Sequence, residues 1–288
     1  MRTVRERAYA KLNLSLDVTG RRADGYHDME MVMQTASLWD DVEICMTEGG
    51  FSSSANLRYI PNDERNLAVK AAKIFYEAAG ISGGARINLN KHIPVGAGMG
   101  GGSTDAAAVL RGLNRLTGRT FSAARLEELG AKVGSDVPFC ICGGTQLAHG
   151  RGEILTPLAP LPDCGIIICK PDFGVSTPEL FKKLDQIQLK CHPDTRGIIA
   201  ALADKNLPEI ARRMYNVFED VPDRRRRGIA ALRRELLDSG AMGAIMTGSG
   251  SAVFGLYKSY GEARRAWEKV RRGKTNCFVC KNISRLKV

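Results

Sequence analysis

The strongest chemical signal is a run of eleven residues: Pro94, Val95, Gly96, Ala97, Gly98, Met99, Gly100, Gly101, Gly102, Ser103 and Thr104. Five are glycine, and they lead straight into a helical pattern through Ala107, Leu110, Leu113 and Leu116 that stops at Gly118. The helix is predicted to open at Ser103 or Thr104. Glycine lets the backbone approach a ligand closely, and the unpaired amides at a helix start, with the helix dipole behind them, favour an anion. A phosphate is the natural guest. Gly96, Gly98 and Gly101 also satisfy the spacing of a dinucleotide-binding turn. Against that reading, Pro94 sits in the turn, and Arg115 and Arg119 stand where an acid should follow. A Walker A loop would need a lysine after the last glycine, and there is none.

Asp136 is the carboxylate of interest. It follows Gly134 and Ser135 and precedes Val137, Pro138 and Phe139, which would partly bury it. Burial of an unpaired charge is costly, so a cation such as Lys11 is needed to hold it ionised. Together the two suit phosphoryl transfer: a carboxylate takes a hydroxyl proton and an ammonium stabilises the developing charge. Asn13 shares the polar face of a strand with Lys11. Tyr26 and His27 follow a turn at Gly25 and make a plausible pair for stacking on and hydrogen-bonding a base. A second glycine-rich turn, Gly248, Ser249, Gly250 and Ser251, lies between two strand-like runs; alone it reads as a hairpin, and paired with the first loop it could close over the same ligand. No GxSxG elbow is present, which weakens a hydrolase reading.

These residues need elements to hold them. Strict alternation of Ala8, Ala10, Leu12, Leu14, Leu16 and Val18 with Tyr9, Lys11, Asn13, Ser15 and Asp17 predicts a half-buried strand. Residues 20–25 form a charged turn and 41–46 alternate as a strand. Asn66 caps a helix carrying Leu67, Ala71, Ile74, Phe75 and Ala78, with Gly80 as its stop. A strand over 85–90 precedes the glycine loop, and a short helix over 127–133 enters the Asp136 turn. Pro157, Pro160 and Pro162 mark a boundary between halves. Beyond it come a strand (165–170), helices near 178–184, 196–203, 207–218 and 224–238, two strands around the second glycine turn (243–257), a helix (260–272) and a strand (275–283). Without regular βαβ alternation, this order favours an α+β fold.

Composition narrows the function classes. The chain has 288 residues, 44% of them hydrophobic and 25% charged, as a globular protein has. The longest apolar run, 198–203, is far too short to cross a bilayer. The first seven residues carry charge with no apolar stretch behind them, so no signal peptide and a cytoplasmic location are expected. Lysine and arginine number 42 against 31 acids, a net charge of +11. That excess suits acidic partners. Arg224 to Arg227 lead a helical stretch with Ile229, Leu232, Leu236 and Leu237 on one side, and no aromatic stacking motif accompanies them, so nucleic acid is not the expected partner. Of the eight cysteines, Cys277 and Cys280 have CxxC spacing, but no second pair completes a zinc site. Free, buried thiols are expected, and no metal site of His/Cys type.

The run 94–110 resembles the ATP loop of the GHMP small-molecule kinases. Residues 248–251 resemble the C-terminal glycine-rich motif of that family, so the resemblance covers nearly the whole chain. Within the family, residues 10–16, the triplet Gly25, Tyr26, His27 and residues 134–139 are similar to the branch whose acceptor is a cytidine-diphosphate-linked polyol, on the non-mevalonate route to isoprenoids. The resemblance implies two domains, 1–156 like ribosomal protein S5 domain 2 and 157–288 ferredoxin-like, with ATP and the acceptor between them. It implies ATP-dependent phosphorylation of a tertiary hydroxyl, assisted by Mg²⁺, in a monomer or homodimer. Asp136 would be the base and Lys11 its partner at the reacting oxygen. Asn13 and His27 would bind the acceptor, His27 through cytosine, with Tyr26 stacked nearby. Phe181, beyond Val175, Ser176 and Thr177, would be the other face of that base sandwich, and Thr177 part of the same site. Ser103 and Thr104 would touch phosphate or Mg²⁺, and no acidic residue is assigned to the metal. A sibling kinase acting on mevalonate, homoserine or a sugar would keep the ATP loop but have no use for a cytosine-reading Tyr26 and His27.

Overall fold

In the computed structural model the described residues are 2–286 and 288. The chain opens on two long antiparallel strands, β1 (Thr3–Arg21) and β2 (His27–Thr47), joined by the charged turn. Then come β3 (Phe51–Ala55), α1 (Leu67–Ala79), β4 (Gly84–Asn90), α2 (Gly101–Leu116), α3 (Ala123–Val133), α4 (Val137–Cys142), β5 (Thr145–His149) and β6 (Ile154–Pro157). The second half contains β7 (Gly165–Cys169), α5 (Thr177–Leu184), α6 (Thr195–Ala203), α7 (Leu207–Arg213), the short β8 (Tyr215–Asn216), α8 (Arg226–Asp238), β9 (Gly243–Met246), β10 (Val253–Tyr257), α9 (Tyr260–Val270) and β11 (Cys277–Ile283). The strands run in the order β3-β4-β2-β11-β7-β10-β9, with β1 and β5 also on β2, β6 on β5 and β8 on β1. Parallel pairs (β3 with β4, β1 with β8) and antiparallel pairs mix, as an α+β fold requires. Late in the chain β11 pairs with both β2 and β7, so one strand joins the two halves.

The local signals hold well where caps are present. Asn66 accepts from the Ala68 amide, and Gly80 closes α1 in the left-handed region. α2 lies in the core: Ala106, Ala107 and Ala108 let it approach the sheet, and Leu110 and Leu113 are fully enclosed. Burial of each such leucine contributes about 1.5–3 kcal/mol. This packing fixes where the glycine loop at the start of α2 must sit.

Five expectations change. β1 is buried on both faces around Lys11, Asn13, Ser15 and Asp17, not half-buried. Its bulges, between Tyr9 and Lys11 and between Asn13 and Ser15, let one alternating face feed two hydrophobic clusters, while Gly100 and Asp136 pack on Lys11 and Thr247 meets Asn13. α2 opens at Gly101, two residues early, with Gly100 as its left-handed cap. α3 begins at Ala123 because Ser122 caps it through the Arg125 amide. The helix expected over 207–218 stops at Arg213. Asn216 instead donates to the Met246 and Gly248 carbonyls and holds residues 215–216 as a strand against β1. The thiols are unpaired. Five are buried, but Cys45 and Cys142 are half-buried and Cys191 is exposed. Cys277 faces Cys169 across β7 and β11 with the sulfurs 3.0 Å apart.

Candidate active site

A cleft of about 870 Å³ receives residues from both halves of the chain. Its walls include Lys11, Tyr26, His27, residues 94–103, Asp136, Thr177, Phe181 and the turn at 248–250. Residues far apart in sequence therefore share one concavity.

Lys11 and Asp136 do meet. Lys11 projects from β1 with its side chain almost wholly buried. Its Nζ lies 3.5 Å from Asp136 Oδ2 and donates to Asn13 Oδ1 at 2.9 Å. Asp136 stands at the N-terminal end of α4 with its carboxylate partly open to the cleft. Asn13 is fully buried. Its Nδ2 donates to Met31 Sδ, its amide donates to Thr247 Oγ1, and it borders the cleft only through Lys11. The pair thus has a fixed ammonium and a carboxylate accessible to a hydroxyl, as proton removal from an acceptor requires.

The two glycine-rich turns interlock. A Cβ on Gly98 would lie 2.1 Å from the Thr247 carbonyl oxygen, and one on Gly248 would lie 2.7 Å from the Gly98 oxygen. Only glycine permits that approach. The Ala252 amide donates to the Ala97 carbonyl, and the Lys11 amide donates to that of Met99. The loop over α2 is therefore tied both to the second turn and to the strand that carries Lys11. Beyond it the first amides of α2 have no partner within the helix and face the cleft beside Ser103. Thr104 points inward, donating to the Gly101 carbonyl. Thr177 hydrogen-bonds Ser249 at 2.6 Å, joining α5 to the second turn.

At the other end of the cleft, His27 stacks on Phe181, with centroids 4.6 Å and planes 18° apart. Phe181 in turn meets Phe218 edge-on at 5.0 Å. Tyr26 is 56% exposed with the Arg151 guanidinium over its ring. The aromatic groups expected to enclose a base are gathered here, with Phe181 lying against His27 and not opposite Tyr26.

Two features escaped the sequence reading. Lys91 is buried between Asp40 and Asp105 and also donates to the Gly101 carbonyl, so it anchors the glycine loop from below. Burial works against the Lys91 charge, but the two carboxylates outweigh it and raise its pKa. Burial also pushes Asp105 up to about 7, with Lys91 opposing and Asp40 adding to the rise, and its Oδ1 has no partner. The only sequence hint was the position of Lys91 just before the loop. Asp185, which pairs with His27, had no hint at all. Among the described residues no three His, Cys, Asp or Glu side chains converge on a metal position. Oxygen-bearing side chains that line the cleft beside the loop include those of Ser103, Asp105, Ser135, Asp136 and Ser249.

A backbone cradle for phosphate next to a lysine-held carboxylate defines a class: enzymes that move a phosphoryl group onto a small hydroxyl compound. Comparison with known proteins narrows it. The family descriptions "GHMP kinases N terminal domain" and "GHMP kinases C terminal" match residues 66–144 and 198–275. A 4-diphosphocytidyl-2-C-methyl-D-erythritol kinase of Clostridium botulinum (strain Eklund 17B / Type B) is 43% identical over 277 residues, covering 96% of this chain and 99% of its own. A crystal structure of a 4-(cytidine 5'-diphospho)-2C-methyl-D-erythritol kinase superposes with a TM-score of 0.81 at 34% identity, covering 97% of this chain and 99% of that one. A homoserine kinase from Cytophaga hutchinsonii shares the fold, with a TM-score of 0.77 at 19% identity over 99% of this chain and 96% of its own. The chain belongs to the GHMP kinases, in the branch of the 4-diphosphocytidyl-2-C-methyl-D-erythritol kinases, and is a small-molecule kinase.

Proposed function

We propose that the protein transfers the γ-phosphoryl group of ATP to the 2-hydroxyl of 4-diphosphocytidyl-2-C-methyl-D-erythritol (diphosphocytidyl-methylerythritol), giving the 2-phosphate and ADP. The observation that carries this reading is the Lys11–Asp136 pair, 3.5 Å apart, beside the phosphate loop. Asp136 accepts the hydroxyl proton as the oxygen attacks. Lys11, held by Asn13, stabilises charge on that oxygen and on the transferring group. The amides of residues 96–103 and the α2 dipole hold the phosphates in line. His27, Phe181 and Tyr26 receive the cytidine end, with Thr177 bracing α5 against the second glycine turn.

Mg²⁺ fits this site as an ion carried on the ATP phosphates, since the residues lining it offer the Ser103 hydroxyl and the Asp105 and Asp136 carboxylates and not a full cage. When bound it would neutralise charge on the phosphates. We place the division between domains at 156/157 and the protein in the cytoplasm as a monomer or homodimer. Among the described residues no helix is long and apolar enough to cross a membrane.

The test is ADP release from Mg-ATP with a panel of acceptors: diphosphocytidyl-methylerythritol, mevalonate, homoserine, galactose and none. Turnover only with the cytidine compound is expected. Turnover with another acceptor would keep the phosphate-loop roles and remove those given to Tyr26 and His27.

A further inference from the structure

One ring nitrogen of His27 is already committed. Nε2 lies 2.7 Å from Asp185 Oδ1, and a carboxylate can only accept, so Nε2 carries a hydrogen. In the neutral imidazole, Nδ1 is then an acceptor. The His27 side chain is only 9% exposed and lies flat on Phe181, and turning the ring over would lose its bond to Asp185. Asp185 is braced from its far side by Arg21, whose guanidinium is 4.0 Å from Oδ2. A base hydrogen-bonded edge to edge with His27 lies in the plane of that ring and runs parallel to the Phe181 face.

We propose that Asp185 sets the nucleobase preference of the acceptor site by holding the hydrogen on His27 Nε2. Nδ1 is then left to accept from the exocyclic amine of cytosine. Uracil, which presents a carbonyl oxygen at that position, would meet lone pair with lone pair. Asp185 touches no reacting atom and is a positioning residue. The inference rests on the cytidine reading of the cleft given above.

Two measurements on the full-length protein test it. The first is the ¹⁵N spectrum of histidine-labelled enzyme at the assay pH, with His27 assigned by its loss in His27→Gln. The second is steady-state kinetics of wild type, Asp185→Ala and Asp185→Asn with the cytidine acceptor and its uridine counterpart. The Nε2–H tautomer is expected in wild type and a mixture in Asp185→Ala. The cytidine-to-uridine ratio of kcat/KM falls at least about tenfold in Asp185→Ala, because a matched hydrogen bond is lost on one side and a repulsion relieved on the other. The change lies mainly in the KM of the acceptor. Asp185→Asn keeps an acceptor oxygen and retains part of the ratio. It also carries the test if the alanine variant folds poorly. An imidazolium or an Nδ1–H tautomer in wild type overturns the proposal, as does an equal loss with both acceptors. Absence of wild-type turnover with the cytidine acceptor would instead overturn the functional reading, and this inference with it.

Discussion

Gly98→Ala and Gly96→Ala form a matched pair of perturbations. Both positions have a left-handed backbone, with φ of 75° and 65°. An alanine at either carries the same backbone penalty, about 1–2 kcal/mol. Their surroundings differ. A Cβ on Gly96 meets nothing within 4 Å, whereas one on Gly98 falls 2.1 Å from the Thr247 carbonyl oxygen, where ordinary contact begins at 3.4 Å. The two turns would have to part by more than an ångström, and backbone shifts forced by overpacking cost about 1–3 kcal/mol more. Neither contact partner at Gly98 can rotate away, since both Thr247 O and the Gly250 amide are backbone.

The difference is read in two ways. In thermal melting, each kcal/mol lowers Tm by about 2–4 °C in a chain of this size. Gly96→Ala should therefore lose a few degrees and Gly98→Ala roughly twice as many. In kinetics, the displaced loop weakens phosphate contacts, so KM for ATP should rise about 5- to 100-fold more in Gly98→Ala than in Gly96→Ala. The KM of the acceptor should move less in both. Equal effects in the two variants would refute the interlock of the two turns as the feature that holds the loop.

Other outcomes follow from the same geometry. Asp136→Asn should lower kcat by about 10²–10⁴-fold while ATP binding, measured by calorimetry, persists; near-normal turnover would remove Asp136 as the base. His27→Ala should raise the KM of the cytidine acceptor more than that of ATP, and equal rises would end its base-reading role. Asp105 has a pH signature. Its folded pKa, about 7, lies above its ordinary 3.8, so between those values the folded state holds a proton that the unfolded state has lost. Stability from this group is present at low pH and declines as pH rises toward 7, then levels off. Chemical denaturation across pH 4 to 8 should show that decline in wild type and its absence in Asp105→Asn; parallel curves would contradict it.

What could be read from the sequence, and what could not, separates along a physical line. α1 was legible because Asn66 and Gly80 satisfy its own backbone ends, and the phosphate loop because glycine density reports close approach directly. The burial of Lys11 on the polar side of β1 was not legible. It depends on the glycine loop at Gly100 and on Asp136 arriving from distant parts of the chain, and the alternation that marked the strand said only that one face was apolar. Lys91 among Asp40 and Asp105, and Asp185 beside His27, were missed for a related reason. A charged side chain on an otherwise ordinary strand or helix end carries no local sign of its partner.

That separation also explains how so few residues marked the walls of one cleft. The loop at 96–102 is in contact with nearly everything else that matters. Met99 accepts from the Lys11 amide, Ala97 from Ala252, Gly101 from Lys91, and Gly98 is wedged against Thr247, whose hydroxyl accepts from the Asn13 amide. A loop built to bring bare backbone against a phosphate must itself be held by backbone, because side chains would fill the cradle. Its supports are therefore strand amides and a second glycine turn, and one of those strands bears Lys11. Lys11 sits on the strand whose amide holds Met99, so the ammonium is placed by the same hydrogen bond that shapes the glycine loop. A change that loosens the loop should in consequence disturb phosphate binding and the Lys11–Asp136 pair together, whereas changes at His27 and Asp185, at the far end of the cleft, should leave both intact.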